Sequence, residues 1–140
     1  MRTISIGKAA RESGVKVPTI RYYEQIGLLA APERTESNRR TYTDDDIRRL
    51  AFIRHSRELG FEIDAIRTLI ELQEHPAAPC AAADAIARRR LEDVQARIRK
   101  LRALEQELER MLASGVHGRV HNCRVIEVLA DHYKCVHEVH

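Results

Sequence analysis

The chain has 140 residues and a mass of 16.1 kDa, enough for one domain or for one small domain with an extension. Aromatic residues make up 4% with no Trp, while charged residues reach 32%, which suits an elongated, helix-rich, oligomeric molecule better than a compact globule with an aromatic core. A net charge of +3 leans towards nucleic acid, no apolar run approaches the ~18 residues of a membrane span, and neither an N-terminal apolar core nor three Cys suggests export, so a cytoplasmic protein with reduced thiols is expected.

The first predicted element is a short helix over residues 5–13, with Ser5 as its cap, Ile6, Ala9 and Ala10 on one apolar face, and Gly14 as its stop. After the turn 14–17, Pro18 opens a second helix that runs to about Ile26 and ends at Gly27. Two short helices joined by so short a turn form a helix-turn-helix candidate. Residues 30–43 break the helical pattern with Pro32, Ser37 and Asn38, and read as a small hairpin or wing with Asn38 at its tip. Residues 1–42 carry eight Lys and Arg against four Glu, a local net of +4, whereas residues 43–75 carry five against eight. The positive excess therefore sits at the front, where a module that displaces counterions from phosphates needs it.

Thr43 is placed to cap a third helix whose first turn holds Asp44, Asp45 and Asp46. Ile47, Leu50, Phe52 and Ile53 supply its buried positions, and Gly60 ends it. A fourth helix spans residues 62–74, and His75-Pro76 stops it. The strongest domain boundary lies at 76–79. From Cys80 to Leu112 the chain has neither Gly nor Pro, and Leu91, Val94, Ile98, Leu101, Leu108 and Leu112 fall on a three- and four-residue spacing with Glu105 as the one polar break. One long helix with a coiled-coil seam is predicted, and an identical helix from a second chain is the simplest cover for it. Residues 113–122 read as a loop, and residues 123–133 as a last short helix with Val125, Ile126 and Leu129 inward. No nucleophile–base pair or phosphate-cradling loop suggests an enzyme.

The segments Ile6-Gly7-Lys8-Ala9-Ala10, Pro18-Thr19-Ile20-Arg21-Tyr22-Tyr23-Glu24, Gly27-Leu28-Leu29, Arg34 to Thr43, Phe52-Ile53-Arg54 and Leu59-Gly60-Phe61 together carry a specific likeness. On these, nearly the whole chain resembles the MerR family of transcriptional regulators. The resemblance implies a mainly α fold. A winged helix-turn-helix DNA-binding domain would occupy 1–76, a long antiparallel coiled-coil dimerisation helix 80–112, and a metal-binding loop and tail 113–140. It places Thr19, Arg21 and Tyr22 at the major groove and Arg40 and Tyr42 at the phosphates, with Arg34 and Arg39 as further wing contacts. Asn38 and Arg39 depart from the Gly and aromatic residue common at those wing positions. Of Tyr22 and Tyr23, one is expected to pack in the core and the other to reach DNA.

The same resemblance selects the metal-responsive branch through Cys80 and Cys123. A helix over residues 80–112 is ~48 Å long, while the eleven residues 113–123 span at most ~38 Å. Cys123 then cannot return to Cys80 of its own chain, but in an antiparallel dimer it meets the partner's Cys80. Within the family, Cys at the start of this helix marks sensors of divalent ions. The further Cys usual just after the helix is missing here, and His117, His121 or Cys135 would complete the site. A mixed sulfur and nitrogen set favours Zn²⁺, with Cd²⁺ second and Pb²⁺ or Hg²⁺ calling on Cys135. The expected partners are promoter DNA, a second copy and, indirectly, RNA polymerase, with no membrane. The expected function is metal-dependent activation, through DNA distortion, of genes for metal efflux and resistance. A thiol redox switch between Cys123 and Cys135 is the alternative.

Overall fold

In the computed structural model, residues 2–113, 118–120 and 123–131 are described. They fall into two compact units, residues 1–86 and 87–140. In chain order the elements are β1 (Thr3–Ile4), α1 (Ile6–Ser13), α2 (Val17–Gln25), β2 (Glu33–Arg34), β3 (Arg40–Thr43), α3 (Asp44–Glu58), α4 (Ile63–Gln73), α5 (Ala81–Ala113) and α6 (Arg124–Ala130).

In the first unit the local signals act as the sequence predicts. The Ser5 side chain accepts from the Lys8 amide at 3.3 Å, and Gly14, at φ 75°, closes α1 in the left-handed region. Pro18 lies in the first turn of α2. Thr43 and Asp46 form a reciprocal capping box at the start of α3: the Asp46 amide donates to Thr43 at 3.2 Å and the Thr43 amide donates to Asp46 at 2.9 Å. The wing turns at Asn38, whose φ of 64° is the left-handed geometry that a short polar side chain tolerates.

One strand was not legible in the sequence. Thr3–Ile4 pairs antiparallel with β3, Ile4 opposite Tyr42, giving a three-stranded sheet of order β1-β3-β2. The wing is thus sewn to the chain's start as well as to itself. Behind the sheet, Ala9, Ile20, Leu50, Ile53 and Ile66 are fully buried, with Tyr23, Leu28, Leu29 and Ile70 beside them. Ile47 and Phe52, expected inside, are half-buried against this core.

The helix α5 is continuous over 33 residues. Its first turns belong to the first unit, where Cys80 and Ala83 line an apolar cleft with Phe52, Leu69 and Leu72. Further along, Leu91, Ile98, Leu101, Leu108 and Leu112 are 41–65% exposed in the single chain. Met111 and the Glu107 side chain are instead buried in the second unit, and Glu107 pairs with Arg110. At 100° per residue, Leu104, Glu107 and Met111 lie about a third of a turn from the open leucine seam. The last helix is shorter than predicted and rotated: Val128 is buried and Val125 half-buried, while Ile126 and Leu129 are exposed. A seven-residue helix has too few turns for its apolar pattern to single out the inward face.

Candidate nucleic-acid interface and metal-ligand positions

The second helix divides its residues by direction. Ile20 and Tyr23, three apart, point into the core, which leaves Arg21 and Tyr22 facing out. Tyr22 is 49% exposed and its ring centroid stands 6.0 Å from that of Tyr23. Of the tyrosine pair, Tyr23 is the one that packs. Thr19 is half-buried one residue before Ile20.

The wing is held by its own backbone and hydroxyls. The Thr35 amide donates to the Arg39 carbonyl at 2.8 Å, the Arg39 amide to the Thr35 hydroxyl at 3.1 Å, and the Thr41 hydroxyl to the Glu33 carbonyl at 2.9 Å. Arg34 donates to the Asn38 carbonyl at 3.1 Å, bending its guanidinium over the tip. As a result Arg21 from α2 and Arg34, Arg39 and Arg40 from the wing line one open cleft with Ser5, Ile6 and Asn38. Four arginines along one cleft bring together planar, paired donors of the kind whose chemistry suits phosphate oxygens.

Tyr42 corrects the expectation of a phosphate contact. Its side chain is fully buried and its hydroxyl donates to the Glu24 carboxylate. Strand alternation explains this: Arg40 and Tyr42 lie on the same side of β3, but Tyr42 is one pleat deeper and opposite Ile4. Burial raises the Tyr42 pKa above the usual phenol value. The hydrogen bond and charge of Glu24 act the same way, and the charges of Arg40 and Arg21 only partly oppose them. Arg40 also pairs with Glu24, Nη1 to Oε2 at 3.6 Å. Sequence reasoning passed over Glu24, because its partners lie 16 and 18 positions away.

The cysteine positions belong to different elements. Cys80 is an exposed free thiol immediately before α5, with Sγ 3.7 Å from Asp84 Oδ1. Cys123 is a half-buried free thiol at the N-cap of α6. Among the described residues, no three His, Cys, Asp or Glu side chains converge on a common metal position. His117, His121 and Cys135 lie outside the described residues. Cysteine sulfur suits borderline and soft divalent ions, so each of the two described thiols has the chemistry of a donor to such a metal. No described helix is long and apolar enough to cross a membrane.

Comparison with known proteins gives matches along the chain. The family model described as MerR HTH family regulatory protein matches residues 4–73, and one described as MerR, DNA binding matches residues 47–111. The HTH-type transcriptional regulator ZntR of Escherichia coli is 37% identical over 128 residues, covering 89% of this chain and 90% of the relative. A transcription regulator of Ralstonia metallidurans, solved in complex with lead(II), superposes with a TM-score of 0.78 at 32% identity, covering 90% of this chain and 98% of that one. A dual-function regulator of Bacillus megaterium, solved with mercury(II), superposes with a TM-score of 0.70 at 29% identity, covering 91% and 100%.

Proposed function

The chain belongs to the MerR family of helix-turn-helix regulatory proteins, and from that premise we propose that it is a metal-responsive transcriptional regulator that binds promoter DNA as a homodimer. The observation that carries this reading is the cleft in which Arg21 of α2 meets Arg34, Arg39 and Arg40 of the wing. In this reading α2 enters the major groove with Thr19, Arg21 and Tyr22 outward, and the wing arginines neutralise the flanking phosphates. Tyr42 supports the wing from within.

The effector is a divalent ion. The lead(II) and mercury(II) complexes among the structural relatives support a metal over a Cys123–Cys135 redox switch. An unbroken helix of 33 residues is ~50 Å long, more than the ten residues from its end to Cys123 can retrace, so in this reading each site pairs Cys80 of one protomer with Cys123 of its partner. His117, His121 and Cys135 are the candidates to complete it. Zinc ranks first and cadmium second, because the nearby donors mix sulfur and nitrogen. A bound ion supplies a link between thiolates of two chains. The protein's own part is to convert that link into a fixed orientation of two α5 rods and of the DNA-binding units at their roots. Bound and unbound dimers then bend and untwist promoter DNA differently, and one form aligns it for RNA polymerase. Genes for metal efflux are the proposed targets.

Transcription from the protein's own promoter, followed while the purified dimer is titrated with Zn²⁺, Cd²⁺, Pb²⁺, Hg²⁺ and Cu⁺, tests the whole reading. Activation by Zn²⁺ at the lowest free concentration, lost in Cys80→Ser, is expected. An unchanged response in Cys80→Ser overturns the metal site.

A further inference from the structure

We infer that Glu24 is a positioning residue of the DNA interface, holding the Arg40 guanidinium of the wing in register with α2. The inference rests on the proposed phosphate role of Arg40.

The geometry is specific. The Glu24 side chain is 9% exposed, and its two oxygens are committed to different residues of one strand: Oε1 accepts from the Tyr42 hydroxyl and Oε2 faces Arg40 Nη1 at 3.6 Å. The Arg40 side chain keeps 28% of its surface open towards the cleft that Arg21 also lines. A guanidinium has five N–H donors in a rigid fork, so one edge can rest on a carboxylate while another meets a phosphate. Tyr42, fully buried, fixes the carboxylate from below. The chain of contacts runs from α2 through Glu24 to both inward-facing residues of β3, and it spans the joint between helix and wing.

Two opposing effects make the inference testable by sign. As a bare charge, Glu24 sits among phosphate-seeking arginines and repels DNA, so its neutralisation would tighten binding and steepen the salt dependence. As a positioning group, its neutralisation frees Arg40 and weakens binding although the protein becomes more positive.

The test uses the full-length dimer and the duplex that the wild-type protein selects from a randomised pool, with binding followed by fluorescence anisotropy at several salt concentrations. Glu24→Gln, which keeps an acceptor for Tyr42, is expected to weaken binding about tenfold, and to have no further effect in an Arg40→Ala background. Glu24→Asp keeps the charge but withdraws it by one methylene. It is expected to weaken binding similarly, and it carries the test should Glu24→Gln melt below the assay temperature. Binding by Glu24→Gln that equals or exceeds wild type overturns the inference, as does an equal loss with Arg40 already removed. If Arg40→Ala alone leaves affinity and salt slope unchanged, the phosphate role of the wing fails instead, and the two failures are thereby distinguished.

Discussion

The Arg67 guanidinium donates to the carbonyl of Ile26 at 2.8 Å, joining α4 to the residue that ends α2. That carbonyl is one of the last in the helix and has no partner within it. Arg67 also stands 3.5 Å from where a side chain on Gly27 would begin, so the α2 end, the left-handed Gly27 and α4 form one joint. Replacing Arg67 by Ala should cost about 1.5 kcal/mol and lower the melting temperature by several degrees at fixed protomer concentration. Arg67→Lys should recover part of the loss. A melt unchanged by Arg67→Ala would mean that the bond contributes nothing in solution.

Gly14 and Gly118 should differ in their response to Ala. At Gly14, φ is 75° and a new Cβ would run into the Arg54 guanidinium. Arg54 can swing away, but the backbone strain remains, so Gly14→Ala should destabilise by about 1 kcal/mol or more. At Gly118 no atom of the described residues lies within 4 Å of an added Cβ, and Gly118→Ala should be close to neutral. Denaturant midpoints of the two variants measure the contrast.

The raised pKa of Tyr42 makes a prediction on the alkaline side. A phenol whose folded pKa lies above its unfolded value near 10 contributes stability that is fully present below pH 10. Above that pH the unfolded chain releases the proton first, and stability falls by up to about 1.4 kcal/mol per pH unit. Tyr42→Phe should be less stable than wild type at pH 8, because it lacks the bond to Glu24, and the gap should close between pH 10 and 11. Urea unfolding across that range reads it. A gap independent of pH would show that Tyr42 ionises alike in both states.

The pairing of Cys80 with Cys123 across the dimer can be tested by mixing variants. Homodimers of Cys80→Ser and of Cys123→Ser should each lose high-affinity zinc binding. A heterodimer with one chain of each kind keeps one intact site, built from Cys80 of the Cys123→Ser chain and Cys123 of the other. It should bind one zinc per dimer, counted by isothermal titration. Absence of binding in the mixed dimer would argue for a site within each chain.

The open seam of α5 predicts the consequence of a single charge. Leu101 is 58% exposed in the lone chain, and Leu101→Glu should shift sedimentation from dimer to monomer while the helical signal of the DNA-binding unit persists. A dimer unaffected by Leu101→Glu would place the protein's contact elsewhere.

Legibility in the sequence followed range. Ser5, Gly14, Pro18, Asn38 and Thr43 act within four residues of themselves, and each performs the structural task that its type and place suggest. The leucines of α5 repeat over many turns, so their common face was also readable. What was lost lies in long-range pairing. Tyr42 looked like a surface wing residue because neither β1 nor Glu24 announces itself as its neighbour. Arg67 and Ile26 are likewise 41 positions apart. The candidate site divided the same way: that one of Tyr22 and Tyr23 packs while the other faces out followed from helix direction, whereas the clasp beneath Arg40 needed the folded wing.

The uncovered leucines of α5 also tie this protein's behaviour to its abundance. A solitary protomer leaves a greasy rail in water and gains by associating, so folding and assembly draw on the same free energy. Scarce copies would dissociate before they could hold an operator as a pair. The amount synthesised, and not the ion alone, thereby becomes an input to the response.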